Sequence, residues 1–133
     1  MTEQTVRSEA KKRTIAFCCA PIGDRVGMER QNEILSAYAK ENDMRIGETF
    51  ESNARMESFV YRSLRLRAKY REFDVLLITD LDMLGNSPIE ITHEINFLNE
   101  NGVTVMSVQD GELNSTTLPI LFRKMFRLVN RNR

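Results

Sequence analysis

Apolar and polar positions alternate along this chain in two rhythms. Thr14-Ile15-Ala16-Phe17-Cys18-Cys19-Ala20 and Val75-Leu76-Leu77-Ile78 are short apolar runs, the length of buried strands. Between them, a helix from about Val26 to Asn42 places Met28, Leu35 and Tyr38 (or Ile34) on one face, and Asn42-Asp43 ends it. Met44 to Phe50 reads as a second strand, weakened by Gly47, and Ser52 to Glu57 as a polar loop. Ser58 to Tyr70 reads as a second helix, basic on its outer side. After the strand at Val75, a loop carrying Asp80, Asp82 and Gly85 runs into Ser87-Pro88-Ile89-Glu90. That tetrad is a capping box: Ser87 as N-cap, proline where its missing N–H costs nothing, and glutamate three residues on. The third helix continues to Asn99 on an Ile91, Ile95 and Leu98 face, and Asn101-Gly102 is its stop signal. Val103 to Val108 reads as a fourth strand, followed by a polar loop and a last helix from Thr117 to about Val129.

Four strands alternating with helices predict a single α/β domain. Its sheet is mostly parallel, of four to five strands flanked by helices, with right-handed crossovers and a C-terminal oligomerisation helix. Residues 1–13 read as a flexible leader and 14–133 as the domain, with no separate DNA-binding domain. Sites in such folds lie at the carboxyl ends of the strands, which singles out Asp80 and Asp82. The last helix carries Leu118, Leu121, Phe122, Met125, Phe126, Leu128 and Val129, a stripe wider than packing on one sheet face requires. It either covers the domain's own core or also packs against another subunit.

Composition narrows the chemistry. A chain of 133 residues with 41% hydrophobic and 29% charged residues fits one packed domain. No apolar run reaches the roughly 18 residues of a membrane span, and the N-terminus has no signal-peptide core, so a cytoplasmic protein with no membrane partner is expected. Adjacent Cys18 and Cys19 point to opposite faces of a strand and read as thiols of a reducing compartment. With one histidine, His93, a metal centre or a Ser-His-Asp triad has few ligands to draw on, and neither a metal nor another cofactor is expected. Net charge is zero, so DNA binding would rest on local clusters: Arg62, Arg65 and Lys69 in one segment, Arg123, Arg127 and Arg131 in another. These read as solvated helix faces or as weak, salt-dependent nucleic-acid contacts.

Several stretches, taken in order, resemble the catalytic domain of the resolvase/invertase serine recombinases. They are Ile15 to Pro21 of the first strand, Glu29-Arg30-Gln31, Ala37-Tyr38-Ala39, Asp74 to Ser87, Asn101-Gly102-Val103, Gly111 to Thr116, and Leu121-Phe122. In that family a serine attacks a DNA phosphodiester while arginines bind the phosphate and stabilise the charge that develops. The resemblance implies that Asp82 is the one retained active-site residue. It puts Pro21 at the nucleophile position, or Ile22 if the loop gap is placed differently, and Phe17 at the tyrosine. Cys19, Ser58, Met83 and Asn86 stand where the family carries arginines, and Asp80 where it carries lysine or a small polar residue. The expected function is therefore a recombinase-like domain without strand-transfer activity. It would act as a homodimer or higher oligomer, or beside an intact serine recombinase, through Leu118, Leu121, Phe122, Met125, Phe126 and Val129. Two alternatives stay open: an altered nucleophile at Cys18 or Cys19, and metal-dependent phosphoryl transfer on Asp80 and Asp82. The second would want another acid near the first strand, where the loop offers Asp24 alone.

Overall fold

Strand β1 (Thr14–Cys19) sends alternate side chains into two separate cores: Ile15 and Phe17 into the larger, Ala16 and Cys18 into the smaller. Strand β3 (Val75–Ile78) repeats the pattern, with Leu76 and Ile78 on one side and Leu77 on the other. The two strands pair in parallel from Thr14 opposite Val75 to Ala16 opposite Leu77, so both are central and buried on both faces. The computed structural model describes residues 12–53 and 59–131, with side chains as far as residue 125. Most of the leader read at residues 1–13, and Ser58, lie outside them.

The remaining elements are α1 (Arg25–Glu41), β2 (Ile46–Ser52), α2 (Phe59–Lys69), a 3-10 turn (Leu81–Leu84), α3 (Pro88–Glu100), β4 (Thr104–Ser107), β5 (Gly111–Leu113) and α4 (Leu118–Arg131). The sheet order is β2-β1-β3-β4-β5, parallel except for β5. Helix α1 lays Leu35 and Ala39 on the smaller core. Helices α2 and α3 fill the larger one with Tyr61, Leu64, Ala68, Ile91, Ile95 and Leu98, and Leu118 of α4 joins them. The expected α/β architecture is the one observed.

The fifth strand falls where the sequence reads as a polar loop. Gly111, at φ +83°, turns the chain back, and Gly111-Glu112-Leu113 pairs antiparallel with Ser107, Met106 and Val105. Leu113 is the only apolar residue among the three and is fully buried, so a single side chain anchors this edge.

The caps form as the sequence indicates. The Glu90 N–H donates to Ser87 Oγ at 3.2 Å, and the carboxylate of Glu90 accepts the Asn86 N–H at 3.3 Å. Asn101 caps the other end, and Gly102 takes φ +82°. Gly85 sits buried against the start of α3. A Cβ there would lie 2.9 Å from Glu90 Cβ and 3.1 Å from the Ile91 nitrogen. Gly85→Ala is therefore expected to cost about 1–3 kcal/mol through overpacking, measurable by urea denaturation.

The entry to β1 is pinned to β3. Arg13 donates its backbone N–H to Asp74 Oδ2 at 2.8 Å and its Nε to the same oxygen at 3.2 Å. These two hydrogen bonds, the side-chain one foremost, hold the Asp74 carboxyl below the usual carboxylate range. A group whose folded pKa is depressed stabilises the fold fully above its unfolded value, roughly 4, and loses that contribution as pH falls through the lower folded value. With the Asp74 side chain 39% exposed, the contribution is screened and stays below about 1 kcal/mol. Asp74→Asn is expected to melt lower than the parent chain at neutral pH, with the two melting temperatures converging as pH falls below the ordinary carboxylate range.

Candidate functional site

The carboxyl ends of β1, β3 and β4 form one rim. The chain crosses from β1 outward to β2 and then back past it to β3, so the crossover direction reverses between β1 and β3. In open α/β sheets the ligand crevice opens at such a reversal.

On the β3 side, Asp80 caps the 3-10 turn. Its Oδ1 accepts the Asp82 N–H at 3.0 Å and its Oδ2 the Thr79 hydroxyl at 3.1 Å. Asp110, from the turn between β4 and β5, accepts the Leu81 N–H at 3.0 Å and the Ser107 hydroxyl at 2.8 Å. Two carboxylates thus fix this loop by satisfying its backbone. Asp82 is exposed on the turn, Met83 is half-buried against the larger core, and Asn86 is exposed.

On the β1 side, Cys19 is half-buried. Its N–H donates to Gln31 Oε1 at 2.9 Å, and Gln31 Nε2 donates back to the Cys19 carbonyl at 2.6 Å. The amide of Gln31 thus does for Cys19 what a neighbouring strand would do. Pro21 is exposed and lines a hollow of about 480 Å³ with Asp24, Glu29, Asn32 and Glu51. Cys18 is fully buried, and burial, followed by the charges of Glu51 and Cys19, pushes its thiol up to about 12. At neutral pH it stays protonated and is a poor nucleophile.

A second, open cleft of about 450 Å³ lies between α1 and the ends of β3 and β4. Arg30, Gln31, Thr79, Asp80, Met83 and Gln109 are among its lining residues. The fold thus brings Asp80 and Met83 together and leaves Pro21 in the neighbouring hollow. Arg30, named in the sequence only as part of a framework match, supplies the guanidinium of this cleft. Among the described residues, no group of three or more His, Cys, Asp or Glu side chains is placed to hold a metal ion. No helix among them is long and apolar enough to cross a membrane.

The basic segment of α2 divides in two. Arg62 and Lys69 are exposed. Arg67 donates to both carboxylate oxygens of Glu48, at 3.1 and 2.6 Å, and its Nε lies 2.7 Å from Glu72. The Arg67 hydrogen bond is the main reason Glu48 titrates below the usual range. Arg65 lies with Nε 3.3 Å from Glu94 and its guanidinium carbon 4.1 Å over the Phe97 ring. Glu94 is itself buried and accepts the Tyr61 hydroxyl at 2.9 Å. Burial and then the Glu94 charge push Tyr61 well above its ordinary pKa, so the phenol remains a donor. His93 is exposed on α3.

Along α4 the apolar stripe emerges from the body. Leu118 is buried in the chain's own core, Leu121 and Phe122 pack half-buried against it, and Met125 is 40% exposed. Arg123 is exposed. The side chains of Phe126, Arg127, Val129 and Arg131 lie outside the described residues.

A 2-1-3-4-5 sheet with an antiparallel edge and a crevice at β1 and β3 is a doubly-wound α/β fold. The model of the resolvase N-terminal domain matches residues 21–131, and the chain belongs to that family. Solved structures share the fold. The N-terminal catalytic domain of TP901-1 integrase is 17% identical with a TM-score of 0.68, over 90% of this chain and 95% of that one. A resolvase family site-specific recombinase from Streptococcus pneumoniae is 14% identical with a TM-score of 0.70, over 92% and 95%. The C-terminal catalytic domain of ISC1926 TnpA, an IS607-like serine recombinase, is 20% identical with a TM-score of 0.66, over 88% and 80%. No curated protein matches the sequence.

Proposed function

We propose that this domain keeps the recombinase framework without strand-transfer chemistry and works through protein contacts. It would act as a homo-oligomer, or as an inactive subunit beside an intact serine recombinase. The observation that carries this reading is the composition of the carboxyl-end rim. Pro21 offers no hydroxyl, and Cys19, Met83 and Asn86 offer no guanidinium. Asp80 adds a carboxylate to the crevice, which offsets the guanidinium that Arg30 brings to its wall, where phosphate would need several cations. Asp82 is the family residue that remains. Losing one oxyanion-type donor commonly costs about 10²–10³ in rate, and several are missing here together with the nucleophile.

The buried, protonated Cys18 speaks against a thiol taking over as nucleophile. The hydrogen bonds that both Asp80 oxygens already accept, from the Asp82 N–H and the Thr79 hydroxyl, and the lack of a third acidic, His or Cys ligand among the described residues speak against a metal site shared with Asp82. The α4 stripe, with Met125 exposed and Phe126 and Val129 next in sequence, is the proposed oligomer surface. DNA contacts through Arg62, Lys69 and Arg123 would be weak and steeply salt-dependent, since Arg65 and Arg67 are already neutralised. The thiols Cys18 and Cys19 fit a reducing compartment, and this reading places the protein in the cytoplasm.

Incubation with a library of randomised duplexes, followed by a denaturing gel, tests the inactive assignment. No covalent protein–DNA adduct is expected. An adduct would overturn it, and loss of that adduct in Cys18→Ser or Cys19→Ser would name the nucleophile.

A further inference from the structure

Asn101-Gly102 is the one Asn-Gly step in the chain. Glycine has no Cβ to shield its amide nitrogen, so at such a step that nitrogen can reach the carbonyl carbon of the preceding side chain. The step lies at the junction of α3 and β4, with Asn101 half-buried and Gly102 exposed. The closed cap blocks the approach in three ways. The Asn101 ψ of 15° turns the Gly102 nitrogen away from the Asn101 side chain. The Gly102 N–H donates to the Asn99 carbonyl at 3.0 Å. The Asn101 side-chain amide donates from Nδ2 to the Phe97 carbonyl at 2.8 Å. All three constraints belong to the last turn of α3, so one opening removes them together. The middle of the helix is held separately, by the buried Ile91 and Ile95.

We propose that Asn101 is a self-modification site, with water as its co-reactant, and that the last turn of α3 sets its rate. In the open turn the Gly102 nitrogen gives up its proton and attacks Asn101 Cγ. A nitrogen–Cγ bond forms, the Cγ–Nδ2 bond breaks, and ammonia leaves with the proton. Water then opens the succinimide ring at one carbonyl or the other, leaving aspartate or isoaspartate. Nothing is oxidised or reduced. Neither product restores the cap. A carboxylate at 101 cannot donate to the Phe97 carbonyl, and its charge lies at the negative end of the helix dipole. Isoaspartate also adds a methylene to the main chain, inside the turn that the Val103 N–H closes on the Leu98 carbonyl at 2.9 Å. The modification therefore runs one way and loosens the entry to β4.

Peptide mapping of the full chain tests it, with an isoaspartyl methyltransferase reporting isoaspartate. In mildly alkaline buffer, conversion at Asn101 should run about 10- to 1,000-fold slower in the native chain than in the same chain held in urea. In urea, Asn101 should convert ahead of Asn86 and Asn114, each of which is followed by serine. Asn101→Asp should melt below the parent chain. Equal rates in the two states would overturn the proposal, because the turn would then gate nothing. A native rate more than about 1,000-fold slower would also overturn it, by tying the reaction to global unfolding. So would faster conversion of Asn86 or Asn114 in urea, or an Asn101→Asp chain that melts no lower than the parent.

Discussion

Tyr61→Phe is expected to destabilise the domain by about 2 kcal/mol, although it removes one oxygen atom and leaves the ring in place. The phenol donates to Glu94, which is 1% exposed, and a hydrogen bond to a buried charged group is worth about 1.5–3 kcal/mol. Without it, a carboxylate oxygen in the larger core loses its hydroxyl donor, and Arg65, over a third exposed, is the ion-pair partner left to it among the described residues. Glu94→Leu placed in the Tyr61→Phe background should recover most of the loss. An apolar pair then fills the site and Arg65 can turn to water. Urea denaturation of the two single variants and the double closes the cycle. If Tyr61→Phe proved neutral, the contact would carry no stability. If the double variant were the least stable of the set, packing rather than polar satisfaction would govern the site.

Met125→Glu is expected to weaken the proposed self-association through α4 by roughly 100-fold. Burying an unpaired carboxylate in an apolar seam costs several kcal/mol, and about 3 kcal/mol already corresponds to that factor. Met125 is the sharpest probe because the helix leaves the body there: Leu118 and Leu121 belong partly to the domain's own core, and a charge at either would unfold the monomer as well. Sedimentation across a concentration series reads the shift, with a thermal melt showing that the variant stays folded. An unchanged assembly state would remove α4 from the interface.

Much of the fold was legible because local signals agreed. Val75 to Ile78 is too short for a helix and is followed by Ser87-Pro88-Ile89-Glu90, so strand, loop and helix start were all written within sixteen residues. β5 was not legible. Three residues with one apolar side chain, flanked by Asp110 and Asn114, carry no periodicity, and the strand exists only because β4 offers an edge to pair with. Glu94 was hidden by its type. It occupies the buried face at the spacing of Ile91, Ile95 and Leu98, and Tyr61, thirty-three residues earlier, is what makes a carboxylate acceptable there. Arg65 reads as solvated for the same reason, since Glu94 approaches it only in the folded chain. At the rim, the sequence located Asp80 and Asp82 from the strand end. The cleft wall supplied by Arg30 required knowing where α1 lies across the sheet.

The two sides of the sheet are unequally defended. One helix, α1, shields the face built on Ala16, Cys18 and Leu77, while α2, α3 and the start of α4 share the other. Local openings follow the smallest apolar contact, so in hydrogen exchange the amides of α1 are expected to lose protection before those of α2 and α3. Gln31 rides on α1, and with each such opening the backbone of Cys19 loses both of its side-chain hydrogen bonds. That opening leaves the β2 side of the strand end in place: Cys18 and Cys19 stand opposite Glu51 and Ser52, and the Ala20 N–H donates to the Ser52 carbonyl at 3.1 Å.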